Sequence, residues 1–189
     1  MTEVNEVDIV FKKNKIIPDV LTKAPEQFLK VAYPGNLQVD KGNELTPTQV
    51  KNDPTVEWNV EDAVLYTLLM IDPDAPSRKN PTFREYQHWL VVNIPGSAID
   101  KGDVLTAYVG SGPPKGTGLH RYIFLLYKQM GKLKFSEKHI PKNSGNDRGK
   151  FCTQTFVKKY KLGEAIAGDF FQAKWDEYLP TVHKQLSGN

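Results

Sequence analysis

A chain of 189 residues is long enough for one domain with a sizeable core and short for two. Its 39% hydrophobic and 25% charged residues are ordinary globular proportions, and a formal net charge of +3 makes no case for a nucleic-acid partner. The single cysteine, Cys152, excludes an intramolecular disulfide and a cysteine-rich zinc site.

The N-terminal MTEVNEVDIVFKKNK mixes acids and bases where a signal peptide needs an unbroken apolar core. No apolar run approaches the length of a membrane span, and the longest, residues 63–71, is strand-sized. The reading is of a cytoplasmic monomer. Val4, Val7 and Phe11 recur at helical spacing, which predicts a short amphipathic helix that runs on through Ile16 and Ile17 until Pro18 stops it.

From there β-branched and aromatic runs alternate with Pro, Gly and Asn signals, predicting strands at 28–33, 38–39, 55–58, 64–71 and 88–94. Turn clusters separate them, among them Tyr33-Pro34-Gly35-Asn36 and Asp40-Lys41-Gly42-Asn43. The run 64–71 is almost wholly apolar, as a central strand buried on both faces would be. Further strands are predicted at 104–109 and 120–128, separated by a long Gly–Pro loop over 110–118. After a polar stretch to Gly149, Phe151, Phe156 and Tyr160 set a helical rhythm. A strand at 166–174 and a helix at 176–185, disturbed by Pro180, close the chain. The expectation is one domain over 1–189, mainly antiparallel β with helices at the ends.

The unusual chemistry is concentrated in MIDPDAPSRKNPTFREYQH, residues 70–88. Asp72 and Asp74 are two apart, so an extended backbone would point both to one side, and Pro73 and Pro76 stiffen the loop. The same aspartates equally suit turn caps. Two of the four histidines, His88 and His120, begin strong strands beside Asp-, Pro- and Gly-rich loops. If those strands are sheet neighbours, Asp72, His88 and His120 gather at one rim, with Tyr122 on the face of His120. An imidazole held by a carboxylate suits a phosphate or carboxylate ligand. It suits acid–base chemistry as well.

No metal-ligand spacing is present, and no metal or cofactor is expected. The loop 110–118 does not fit a phosphate-binding P-loop, because Lys115 precedes Gly116 and a strand follows. Ser111 lies in VGSGP, which is no nucleophile elbow. Cys152, near Arg148 and Lys150, reads as an inert thiol, and Lys158, Lys159 and Lys161 as a solvated helix face capable at most of transient contact with anionic lipid.

The blocks DPDAPS (72–77), HWLVVN (88–93) and GSGPPKGTGLHRY (110–122) resemble the signatures of the phosphatidylethanolamine-binding proteins, also called Raf kinase inhibitor proteins. The resemblance continues through Arg148-Gly149-Lys150-Phe151, Phe156, Lys158-Lys159-Tyr160 and Ala173-Lys174-Trp175-Asp176 to Leu186-Ser187-Gly188. It implies a β-sandwich with a large central antiparallel sheet, a smaller second sheet and a C-terminal helix. It also implies a pocket for phosphoethanolamine-type head groups or simple anions, walled by Asp72, Ala75, Pro76, His88, Pro113, Pro114, His120 and Tyr122. Cis peptide bonds are implied at Ala75-Pro76 and Arg84-Glu85.

Three rim positions depart from the animal pattern: Phe83 for a tyrosine, Tyr86 for a tryptophan, and His183 for a tyrosine at the pocket mouth. Thr155 falls where the family carries a regulatory phosphoserine. The implied role is a binding and regulatory protein, not an enzyme, with a protein kinase or serine protease as partner. The rivals are a small hydrolase using an Asp/His pair, and a protein-interaction module whose pocket is vestigial.

Overall fold

The computed structural model describes residues 4–188. Three strands carry the architecture: β6 (Leu65–Asp72), β7 (Tyr86–Pro95) and β9 (His120–Gln129). β6 lies between the other two, antiparallel to both. β8 (Asp103–Thr106) extends the sheet beyond β7, and β10 (Ala167–Ala173) extends it antiparallel beyond β9. Two-residue strands β1 (Gln27–Phe28) and β4 (Asn43–Glu44) then pair parallel with β10. The expected antiparallel sheet is therefore mixed at that edge. β4 lies where a turn was expected, because Gly42 N–H reaches Phe170 O (2.8 Å) and Leu45 N–H reaches Gln172 O (2.9 Å). A second sheet has the order β3 (Leu37–Gln38), β2 (Lys30–Tyr33), β5 (Thr55–Glu57).

Side-chain alternation divides the large sheet between two cores. Tyr66, Leu68 and Met70 of β6, with Phe124 and Leu126 of β9, pack toward the small sheet's Val31, Tyr33 and Val56. Leu69, Ile71, Ile123 and Leu125 face the opposite way, against Val7, Phe11 and Phe156. Those last three come from helices α1 (Glu6–Lys13) and α3 (Thr153–Tyr160). With both faces covered, the central strands read as continuous apolar runs.

α1 starts where Asn5 accepts a hydrogen bond from Val7 N–H (3.0 Å), and it places Val4 outside the helix, 75% exposed rather than on the apolar face. It ends at Asn14. Pro18 follows a cis bond inside a separate short turn, α2 (Ile16–Asp19), rather than stopping the first helix. The C-terminal helix α4 (Leu179–Leu186) has Pro180 in its first turn, where a proline costs no hydrogen bond. Pro180 thus begins this helix instead of disturbing it. Its apolar face, Leu179 and Val182, packs on Val109, which anchors the helix over the end of the sheet near His88 and His120. No helix among the described residues is long and apolar enough to cross a membrane.

Candidate functional site

Because β6 separates β7 from β9, Asp72 at the end of β6 stands between His88 and His120. Asp72 Oδ1 accepts the Asp74 backbone N–H (2.7 Å), and Oδ2 lies 2.8 Å from His120 Nδ1. The other ring nitrogen, Nε2, is 2.8 Å from Thr117 Oγ1, whose own proton goes to Pro114 O (2.7 Å). Thr117 therefore accepts, and His120 Nε2 carries a proton. His88 points its Nδ1 at Val109 O, 2.9 Å away, which leaves Nε2 as the nitrogen available to the cavity. Burial pushes the His88 pKa down to about 4, outweighing the charge of Asp72 and the bond to Val109 O, so the ring is neutral at pH 7.

The loop between β8 and β9 forms the opposite wall. Tyr33 hydrogen-bonds to Tyr108 (2.8 Å), and Tyr108 donates to Val50 O (2.7 Å). The same carbonyl approaches Gly110 so closely that a Cβ there would sit 2.6 Å from it. Only glycine lets this loop lie against residue 50 and swing Gly110 and Gly112 to the cavity. The resulting cavity has a volume of about 230 Å³.

Asp72, Ala75, Pro76, His88, Pro114 and His120 all line it, as do the rim residues Phe83, Tyr86 and His183. Apolar atoms dominate the wall, and neither lysine nor arginine contributes to it. Tyr86 tilts over the His88 ring at 5.1 Å between centroids, while Phe83 at the rim is 50% exposed.

Residues 35–171 match the family described as phosphatidylethanolamine-binding protein. The chain belongs to that family. It is 40% identical to the putative odorant-binding protein A5 of Drosophila melanogaster over 95% of this chain and 85% of the relative. Among solved structures it is similar to the solution structure of CG7054, at 48% identity and TM-score 0.75, covering 92% of this chain and 99% of that one. It is also similar to the carboxypeptidase Y inhibitor complexed with its cognate proteinase, at 27% identity and TM-score 0.78, covering 92% and 98% of the two chains. The phosphatidylethanolamine-binding protein of Plasmodium vivax superimposes with TM-score 0.76 at 25% identity, covering 91% and 99%.

Within this family fold, two of the anticipated wall residues stand back from the cavity. Pro113 is buried in the loop, and Tyr122 lies behind the histidines. The Tyr122 ring meets His88 edge-on at 5.2 Å and stacks on Phe171 at 5.1 Å. Its hydroxyl is buried with no hydrogen bond of ordinary geometry among the described residues. Burial, with the nearby charge of Asp72, raises its pKa well above the usual phenol value.

Asp74 also departs from expectation. The chain turns after Asp72, so Asp74 points away from the cavity and binds Arg121 through that residue's backbone N–H (2.9 Å), Nε (2.9 Å) and Nη2 (2.7 Å). It is structural. The cis bonds at Ala75-Pro76 and Arg84-Glu85 are present, together with one at Ile17-Pro18 that was not foreseen.

Val109, Gly110, Gly112 and Leu186 line the cavity without having been singled out as wall residues. The glycines had a signal in their Gly–Pro loop; Leu186 had one only in the family resemblance, and Val109 none beyond being apolar. Thr155 is exposed on α3 and borders a separate surface groove with Lys158 and Lys161.

Proposed function

We propose that this protein is a binding and regulatory protein, not a catalyst, which holds a phosphate or a phosphorylated head group of phosphoethanolamine type between His88 and the loop that carries Gly110 and Gly112. The observation that carries the reading is the convergence of His88 and an Asp72-braced His120 on one small cavity. The apolar wall of Ala75, Pro76, Val109 and Leu186 suits the organic group attached to such an anion. The name of the Drosophila relative points the same way, toward small organic ligands.

Catalysis is disfavoured by the hydrogen bonds themselves. His120 has both ring nitrogens engaged, and its Nε2 donates to Thr117, so it neither accepts a proton from a nucleophile nor activates that hydroxyl. Likeness to the carboxypeptidase Y inhibitor supports a protease as partner, and the exposed Phe83 beside the cavity supplies an apolar contact for one. A kinase partner rests on the family resemblance alone.

Calorimetry with phosphoethanolamine tests the pocket. Binding should be lost in His120→Ala and in Asp72→Ala while both variants keep the native circular dichroism spectrum. Unchanged affinity in both would remove the pocket from the function. A phosphate-sensitive protease pull-down would tie partner and pocket together, whereas a module with a vestigial pocket would ignore the phosphate.

A further inference from the structure

An anion in this cavity has no fixed cation to touch. No lysine or arginine lines the wall. Arg148, buried nearby, keeps a charge that is felt at His88, but its nitrogens bind backbone carbonyls and it does not line the cavity: Nε meets Ser144 O (2.6 Å), Nη1 Gln87 O (3.2 Å), and Nη2 Ala107 O and Pro141 O (3.1 and 2.9 Å). Any charge on His120 is answered by the Asp72 carboxylate 2.8 Å from its Nδ1, and its Nε2 is already committed to Thr117. Desolvating an anion that touches no cation is strongly unfavourable. The wall can acquire a positive charge at His88, whose Nδ1–H is pinned to Val109 O and whose Nε2 is left to the cavity.

We infer that the pocket takes up a proton together with its anion, the proton going to His88 Nε2, so that each bound anion is held by an imidazolium formed on binding. This inference rests on the anion-binding reading above. The groups facing His88 are Asp72 from β6, Tyr86 on its own strand, His120 and Tyr122 from β9, Arg148 bonded to Gln87 of β7, and His183 at the mouth from α4. Asp72 favours the imidazolium and Arg148 opposes it. Without an added negative charge, burial dominates and the ring stays neutral at pH 7. A bound anion reverses that balance by adding a negative charge against a ring that burial has already desolvated.

The probe is sulfate, whose charge is constant from pH 5 to pH 8, so any proton taken up belongs to the protein. Calorimetry at pH 7 in buffers of different ionisation enthalpy should show uptake of about one proton per sulfate, with affinity rising about tenfold for each unit of pH lowered. His88→Gln, whose amide donates at every pH but carries no charge, should bind sulfate much more weakly and without a pH slope, and His183→Ala should keep the slope. In the wild-type protein, imidazole carbon shifts should show His88 titrating above pH 7 with sulfate and near pH 4 without it. Binding without proton uptake, or a slope that disappears in His183→Ala and persists in His88→Gln, overturns the inference and leaves the anion pocket standing. Absence of binding by sulfate and phosphoethanolamine at every pH from 5 to 8 overturns both.

Discussion

Asp72 and Asp74 are two residues apart and both buried, yet the structure gives them separate tasks, and Asp74→Asn tests the separation. Asp74 binds the fully buried Arg121 through three hydrogen bonds. Two further acceptors for that guanidinium remain in the variant: Asp19 Oδ2 at 2.9 Å and Asn14 O at 2.8 Å. Removing one partner of a buried ion pair costs about 3–5 kcal/mol, and the surviving contacts put this case near the lower end, about 3 kcal/mol. For a chain of this size each kcal/mol lowers the melting temperature by about 2–4 °C, so the expected fall is about 6–12 °C.

Burial by itself would raise the Asp74 pKa, but the hydrogen bonds and charge of Arg121 prevail and lower it. The ionised form is thus favoured by folding. Its contribution is complete above the unfolded carboxylate value of about 4 and is lost as pH falls through the folded value, so wild type and variant should converge in acid. Urea denaturation followed by tryptophan fluorescence measures the difference at pH 7. Phosphoethanolamine affinity, measured alongside, should survive in Asp74→Asn and fall in Asp72→Asn, whose single amide oxygen cannot accept from both Asp74 N–H and His120 Nδ1–H. A stability loss under about 1 kcal/mol, or equal loss of affinity in the two variants, would refute the division.

Three further outcomes are expected. Burial raises the pKa of Glu85, which accepts from Thr153 N–H and Oγ1–H at the start of α3, to about 7. The protonated form is favoured by folding, so stability is lost as pH rises from about 4.5 to 7. In urea titrations Glu85→Gln should therefore gain on wild type across that window by up to about 3 kcal/mol, and a constant difference would exclude this origin. Gly110→Ala places a methyl 2.6 Å from Val50 O, and should cost about 1–3 kcal/mol and weaken phosphoethanolamine binding by displacing the loop. Phe83→Tyr adds a donor at the rim and should tighten that binding by up to about tenfold in calorimetry; unchanged affinity would place the ring outside the ligand's reach.

The central strands were legible because both faces of β6, β7 and β9 are covered, which leaves long apolar runs that few other structures explain. The weak edge was not. Asn43 read as the end of a turn and Glu44 was assigned to no strand, and only the position of β10 recruits them into a parallel pairing. Alternation predicted one side for Asp72 and Asp74, but it holds only while the backbone stays extended, and β6 ends at Asp72. Arg121, 47 residues further on, then captures Asp74.

By itself the sequence determined the strand-forming runs, the two stiff loops, the family resemblance and the imidazole and carboxylate chemistry that those loops frame. These are local properties, written in residue type and spacing. Tertiary structure decided which groups meet. It put β6 between the two histidine-bearing strands, set Tyr122 behind the wall rather than in it, and brought α4 across the mouth with His183 and Leu186. It also decided the charge of the site. The absence of lysine and arginine from the wall and the desolvation of His88 arise from packing among distant segments, which spacing along the chain does not encode.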